Sequence, residues 1–237
     1  MMIPEIGSEG QELLKNSRIF VAGLGGLGSV SSFYMAAAGV GMLNIVDMDV
    51  VEIGNLNRQI LHGTGDISRS KASSALETLK DLNPDCHVTA FEKEITEATI
   101  DELGKNADVI LDATDNMETR RILNRFSIKK KIPYIYGGID GFYGMVSTFL
   151  PGKTPCLECL FPGGISKKRD AEKKHKIAAI GPVPGIVASI QSMEALKQIL
   201  GMSESLLKNR LLYIDARTMS FEKIEIEKNP NCPACGV

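Results

Sequence analysis

No stretch of this chain approaches the run of about 18 apolar residues that a membrane-spanning helix requires. Its start, Met1-Met2-Ile3-Pro4-Glu5, has neither the basic nor the apolar segment of a secretory signal. Charge of one sign is lacking too. A formal net charge of −2 gives no electrostatic case for general nucleic-acid binding. Internal repeats and a clear interdomain linker are also missing. Residues 1–237 are therefore read as one domain, with a nucleotide-binding part over 1–150. The remainder, 151–237, holds a crossover loop, a helix and the last strands. A hydrophobic content of 43% is enough to build its core.

The five cysteines do not form a disulfide framework. Four of them stand in two pairs, Cys156-x-x-Cys159 and Cys232-x-x-Cys235. Each pair brings two thiolates to one ion, and two pairs complete tetrahedral four-sulfur coordination. Such a site has no open position, so it is expected to be structural zinc. The fifth, Cys86, lies at the entrance of an expected strand and reads as a small core residue. Metal spacing of this kind suits a reducing, cytoplasmic compartment.

Ahead of the cysteines, residues 18–23 read as a buried strand entering a glycine turn. A helix follows over 26–38, then a strand over 43–46 that ends at Asp47. A polar stretch occupies 49–68. Further along, helices are expected over 69–82 and 118–130, and strands over 87–91, 107–111, 133–136 and 145–150. Residues 181–185 (Gly-Pro-Val-Pro-Gly) read as an interruption before an apolar helix over 186–200, and strands over 211–214 and 221–226 close the chain. The alternation predicts an α/β fold. It is Rossmann-like and doubly wound, with a mostly parallel sheet and a C-terminal antiparallel extension stapled by the zinc site.

The chemistry is sought at the glycine turn. Gly23, Gly25 and Gly28 form G-x-G-x-x-G between a strand and a helix, where backbone N–H groups can hold phosphate oxygens. Asp47, at the end of the second strand, suits ribose hydroxyls. Alone, this pattern fits a nicotinamide-dependent dehydrogenase. Yet Gly54-Asn55-Leu56-Asn57-Arg58-Gln59 and Lys71 follow directly with two cations and an amide. A triphosphate needs that charge and a dinucleotide does not. Asp115-Asn116, beyond the fourth strand, sits where a carboxylate could hold magnesium between phosphates.

Taken together, Gly23–Ser29, Asp47-Met48-Asp49, Asn55–Gln59, Lys71, Asp112–Asn116, both cysteine pairs and residues 189–195 resemble one family. It is that of the ThiF/MoeB/HesA adenylyltransferases, bacterial and archaeal relatives of ubiquitin-activating enzymes. The resemblance covers almost the whole chain. It implies a homodimer that binds ATP and magnesium and lets a substrate carboxylate attack the α-phosphate. Pyrophosphate leaves and an acyl-adenylate remains. Carried over residue by residue, Gly23, Gly25, Gly26 and Gly28 line the nucleotide, and Asp47 and Asp49 lie at the ribose. Asn55, Arg58 and Lys71 contact phosphates, and Asp115 holds magnesium beside Asn116. Arg58, Lys71 and Asp115 are the expected catalytic set. The implied partner is a ubiquitin-like sulfur-carrier protein with a C-terminal Gly-Gly. A small-molecule or tRNA-borne carboxylate, or a non-catalytic scaffold that only binds a carrier, remain as alternatives.

The chain departs from the family pattern twice. Several relatives carry a cysteine in the crossover loop. Residues 172–180 have none, and Lys174 falls near that position, so no thioester step is expected. Relatives also open with an Arg-Tyr-x-Arg-Gln-like segment whose arginine reaches the partner subunit's triphosphate. This sequence starts just after that point, and slow turnover is the expectation for it as written. From Lys167 to Lys176 six Lys/Arg face two Asp/Glu, a net of +4. That segment reads either as a solvated loop or as one that closes over the adenylate or meets an acidic carrier.

Overall fold

The computed structural model describes residues 3–163 and 179–236. The charged segment 166–176, with Lys174, therefore lies outside the described residues.

Eight strands form one sheet in the order β3-β2-β1-β4-β5-β6-β7-β8. The first five are β1 (Arg18–Ala22), β2 (Met42–Val46), β3 (His87–Phe91), β4 (Val109–Asp112) and β5 (Tyr134–Asp140), all parallel. Then β6 (Tyr143–Phe149), β7 (Arg210–Asp215) and β8 (Ser220–Glu225) continue antiparallel. This is the expected mostly parallel sheet with an antiparallel extension.

Alternation along the central strands divides the core. Ile19 and Val21 of β1 join one apolar cluster, and Phe20 and Ala22 join the other. Burial on both faces is why these strands read as unbroken apolar runs. On the first face lie α1 (Gly7–Lys15), α2 (Gly26–Ala37) and α3 (Lys71–Leu82). With them lies the long helix Pro182–Ile199, which is α7 here. The second face takes α4 (Ile100–Leu103), α5 (Met117–Lys130) and α6 (Leu157–Leu160).

Several boundaries move, each for a local reason. Helix α7 begins at Pro182 rather than 186. Prolines are tolerated in a first helical turn, where the missing N–H would have no intrahelical partner. Helix α3 begins at Lys71, because Ser70 caps it by accepting a hydrogen bond from Ser73 N–H. Strands β5 and β6 run further than expected and pair as a hairpin through Gly141 at φ 61°. Their glycines at 137, 138, 141 and 144 hide that regularity in the sequence. Helix α1 has no counterpart in the sequence reading.

Strand order 3-2-1-4-5 places a switch point between β1 and β4, since the chain leaves β1 toward β2 and returns on the other side. Ligands of such sheets bind in the crevice at the strands' carboxyl ends beside that point.

Candidate active site and metal centre

A cleft of about 910 Å³ opens at this switch point. That is within the range of about 300–1,000 Å³ typical of small-molecule sites. Its floor is the glycine turn. Gly23, at φ +94°, takes a conformation that side chains rarely adopt, and a Cβ there would meet Ala113 O at 2.8 Å. Gly25 and Gly26 line the cleft. Gly28 does not line it. A Cβ at Gly28 would lie 1.9 Å from Gly23 O, so this glycine lets α2 pack against the end of β1.

Asp47 follows β2 and is largely buried. Its Oδ2 accepts from Leu24 N–H at 2.8 Å and its Oδ1 from Asp49 N–H at 2.9 Å. Burial pushes its carboxyl above the usual range, with Lys71 and these two N–H groups opposing the shift. Lys71, 5% exposed, stands in the first turn of α3. Its Nζ lies 2.9 Å from Asp49 Oδ2 and 3.9 Å from Asp47 Oδ1. The sequence-predicted ribose and phosphate groups are therefore ion-paired neighbours.

Asn55 and Arg58 come from the 3-10 turn Ile53–Asn55 and the residues just after it. The Arg58 guanidinium donates to Gly54 O, Asn57 Oδ1 and Asn55 Oδ1 at 3.1, 3.0 and 3.2 Å. All three acceptors are neutral, so its positive charge faces the cleft uncompensated by them. Across the cleft Asp115 is exposed, and Asn116 caps α5 by accepting from Thr119 N–H at 2.9 Å. The cleft thus gathers Asp47, Asp49, Asn55, Arg58, Lys71, Asp115 and Asn116 with three of the four glycines.

Two supporting residues, Arg120 and His62, escaped the sequence reading, and a third, Gln191, entered it only within the motif 189–195 and without a role. Arg120 lines the cleft and donates to Thr114 O and Gly137 O at 2.7 and 3.0 Å. Its guanidinium lies 5.1 Å from the Tyr136 ring centre. Gln191 of α7, fully buried, donates to Asp112 O at 2.7 Å and ties α7 to the end of β4. His62 lies under the glycine turn, hydrogen-bonded to Ser74 Oγ at 2.8 Å and Leu24 O at 3.3 Å. Most of these contacts join distant segments, so no local spacing marks their roles.

The candidate metal centre lies elsewhere. Sulfurs of Cys156, Cys159, Cys232 and Cys235 all fall within 4.8 Å of one another. Cys156 and Cys232 are 3.7 Å apart and Cys159 and Cys235 3.5 Å. A tetrahedral ion with metal–sulfur bonds of about 2.3 Å requires edges of about 3.8 Å, so the four thiols fit one such ion. Asn124 of α5 donates Nδ2–H toward Cys156 Sγ at 3.7 Å and accepts from Leu157 N–H at 3.1 Å. An amide holding a ligand sulfur and its loop is the outer support such sites use. Cys86 is apart from the cluster and 3% exposed, and burial raises its thiol to about 11.

The ThiF family model matches residues 1–234. A SAMP-activating enzyme E1 of Haloferax volcanii is 40% identical over 236 residues, spanning 100% of this chain and 86% of that protein. A sulfur carrier protein adenylyltransferase of Thermus thermophilus is 38% identical over 246 residues, spanning 100% and 88%. Among solved structures, E. coli MccB with ATP superposes with a TM-score of 0.86 at 26% identity, covering 95% of this chain and 68% of that one. In all described residues no helix is long and apolar enough to cross a membrane. With the family model spanning nearly the whole sequence and relatives at this identity along its full length, the chain belongs to the ThiF family.

Proposed function

We infer that this chain uses ATP and magnesium to adenylate the carboxylate of a C-terminal Gly-Gly on a ubiquitin-like sulfur-carrier protein. The observation that carries this reading is the pairing of two findings. Full-length relatives are named sulfur carrier protein adenylyltransferases. The cleft also sets Arg58 and Lys71 behind a glycine turn, as a triphosphate requires.

In this reading the carrier carboxylate oxygen attacks the α-phosphorus, and the bond from that phosphorus to the bridging oxygen of pyrophosphate breaks. N–H groups of Gly25 and Gly26 face phosphate oxygens. Asp47 and Asp49 lie at the ribose, while Arg58 and Lys71 neutralise charge on the phosphates. Asp115 is the residue that would hold magnesium, which when bound offsets charge between phosphates. Asn116, by capping α5, keeps the Asp115 backbone in place. Catalysis then rests on positioning and charge compensation, with the substrate itself as nucleophile.

No thioester step belongs to this reading. Cys86 is buried, and the other four cysteines stand together as a closed site for zinc. The protein is further proposed to work in the cytoplasm as a homodimer. Exposed Phe33 and Tyr34 on α2 and Met193 on α7 offer apolar surface for a second copy.

Exchange of labelled pyrophosphate into ATP tests the function. It should require a carrier ending in Gly-Gly and vanish when those glycines are removed. Exchange driven instead by a small or tRNA-borne carboxylate would replace the substrate assignment. Carrier binding with no exchange at all would make the protein a scaffold.

A further inference from the structure

We propose that His62 is a positioning residue for nucleotide chemistry, setting the pitch of the glycine turn through the carbonyl of Leu24. His62 is 6% exposed and comes from the turn after Arg58 and Gln59. Its Nε2 lies 3.3 Å from Leu24 O, and its Nδ1 lies 2.8 Å from Ser74 Oγ. A carbonyl only accepts, so Nε2 must carry the proton, and the bare Nδ1 then accepts from the Ser74 hydroxyl. The Leu24 carbonyl thus fixes the ring's tautomer, and the Ser74 hydroxyl, which can donate or accept, adapts to it and anchors the ring to α3.

The Leu24 peptide is held from both ends. Its N–H donates to Asp47 Oδ2 at 2.8 Å, while its carbonyl accepts from His62 and from Ser29 Oγ at 3.2 Å. Asp47 in turn faces Lys71 Nζ at 3.9 Å, and Lys71 and Ser74 stand on the first two turns of α3. The contacts close a ring: α3, His62, Leu24, Asp47 and back to α3. The peptides that follow, at Gly25 and Gly26, project into the cleft. A ring that fixes Leu24 fixes how those N–H groups meet a phosphate, and joins that geometry to the lysine opposite.

Burial, reinforced by Lys71, holds His62 below its ordinary value, while Leu24 O, Asp66 and Asp47 oppose the shift. The ring is therefore neutral at pH 7, which keeps Nδ1 free to accept. Arg58 and Lys71 are already accounted for as nucleotide-facing groups. His62 touches no part of the cleft directly and acts only through the turn.

This inference rests on the adenylation reading, and two readouts keep them separable. His62→Phe keeps an aromatic ring without the donor, and His62→Gln can return an N–H toward Leu24. Carrier-dependent pyrophosphate exchange should fall in His62→Phe by about three- to tenfold in kcat, with KM for ATP little changed, because one neutral hydrogen bond is at stake. His62→Gln should recover most of that loss even where its melting temperature matches that of His62→Phe. Should His62→Phe not fold, Ser74→Ala, which removes the hydrogen bond that anchors Nδ1 to α3, should lower kcat in the same direction at unchanged KM.

Amide hydrogen exchange of residues 23–29, followed with and without ATP, needs no turnover. Exchange in this segment should be faster in His62→Phe than in His62→Gln. If the wild type shows no pyrophosphate exchange while the segment behaves this way, the adenylation reading fails and the role of His62 stands. Equal kcat in the Phe and Gln variants, or equal exchange at 23–29, overturns the proposal.

Discussion

At the parallel end of the sheet, β1 and β4 are buried on both faces and the strand ends are joined by side-chain hydrogen bonds. At the antiparallel end, five of the six residues of β8 are exposed, Phe221 and Ile224 among them. Glu222, Lys223 and Glu225 on this edge discourage pairing with another chain. Such a strand buries too little to hold itself, and the four thiols lie just beyond it. The nucleotide end is thus stabilised by area removed from water. At the far end, an ion held by the four thiols would link residues 232–235 to 156–159.

Removing the metal should break this comparison most strongly. Structural zinc contributes up to about 10–16 kcal/mol of apparent binding in small peptides, so several kcal/mol are at stake here. Chelation, or Cys156→Ser, should release one zinc per chain and speed amide exchange in β7 and β8. Exchange in β1, β2 and β4, and ATP binding, should stay near their original values. Equal opening of both ends would mean that the zinc supports the whole sheet. No zinc in protein purified without chelator would remove the assignment altogether.

Asp115→Ala probes the opposite end. Loss of a group acting on transition-state charge costs about 10²–10³ in rate. Carrier-dependent pyrophosphate exchange should fall by that order, while the unfolding midpoint barely moves, because an exposed side chain supports little of the core. A large stability loss with intact exchange would assign Asp115 to structure instead.

A smaller effect should come from the start of α3. Ser70→Ala removes the cap and should cost about 1 kcal/mol in urea unfolding. Because Lys71 is the next residue, ATP affinity should weaken alongside. Affinity that does not follow stability would show that the Asp47 and Asp49 carboxylates alone fix this lysine.

Much of this was legible in order along the chain. The glycine turn, the ends of β2 and β4 and both cysteine pairs are local patterns, and the structure brings Asp47, Lys71, Arg58 and Asp115 to one cleft. What stayed hidden depends on contacts between distant segments. His62 meets Leu24 across 38 residues, and Gln191 meets Asp112 across 79. No spacing announces either pair. Gly28 taught the reverse lesson, since its motif position suggested ligand contact and its neighbours show helix–strand packing. Helix α1 went unread because its mean polarity and two glycines mask a buried face of Gly10 and Leu14.

The smallest expected effect separates two buried groups at the nucleotide end by the sign of their pH dependence. His62 titrates lower in the folded protein than its ordinary 6.5. Between those values the unfolded chain binds a proton that the folded chain does not. Stability is therefore complete above about 6.5 and falls as pH drops through that window. Asp47 has the opposite sign. Its folded value lies above 3.8, so the folded chain holds the extra proton and stability falls as pH rises from there. Wild-type unfolding free energies measured from pH 7.5 downward should decline on the acid side of about 6.5. His62→Gln should remove that decline and leave the slope near Asp47 in place. If both proteins share the same acid slope, folding does not lower the affinity of the imidazole for its proton, and a neutral ring held at Leu24 O would have no role.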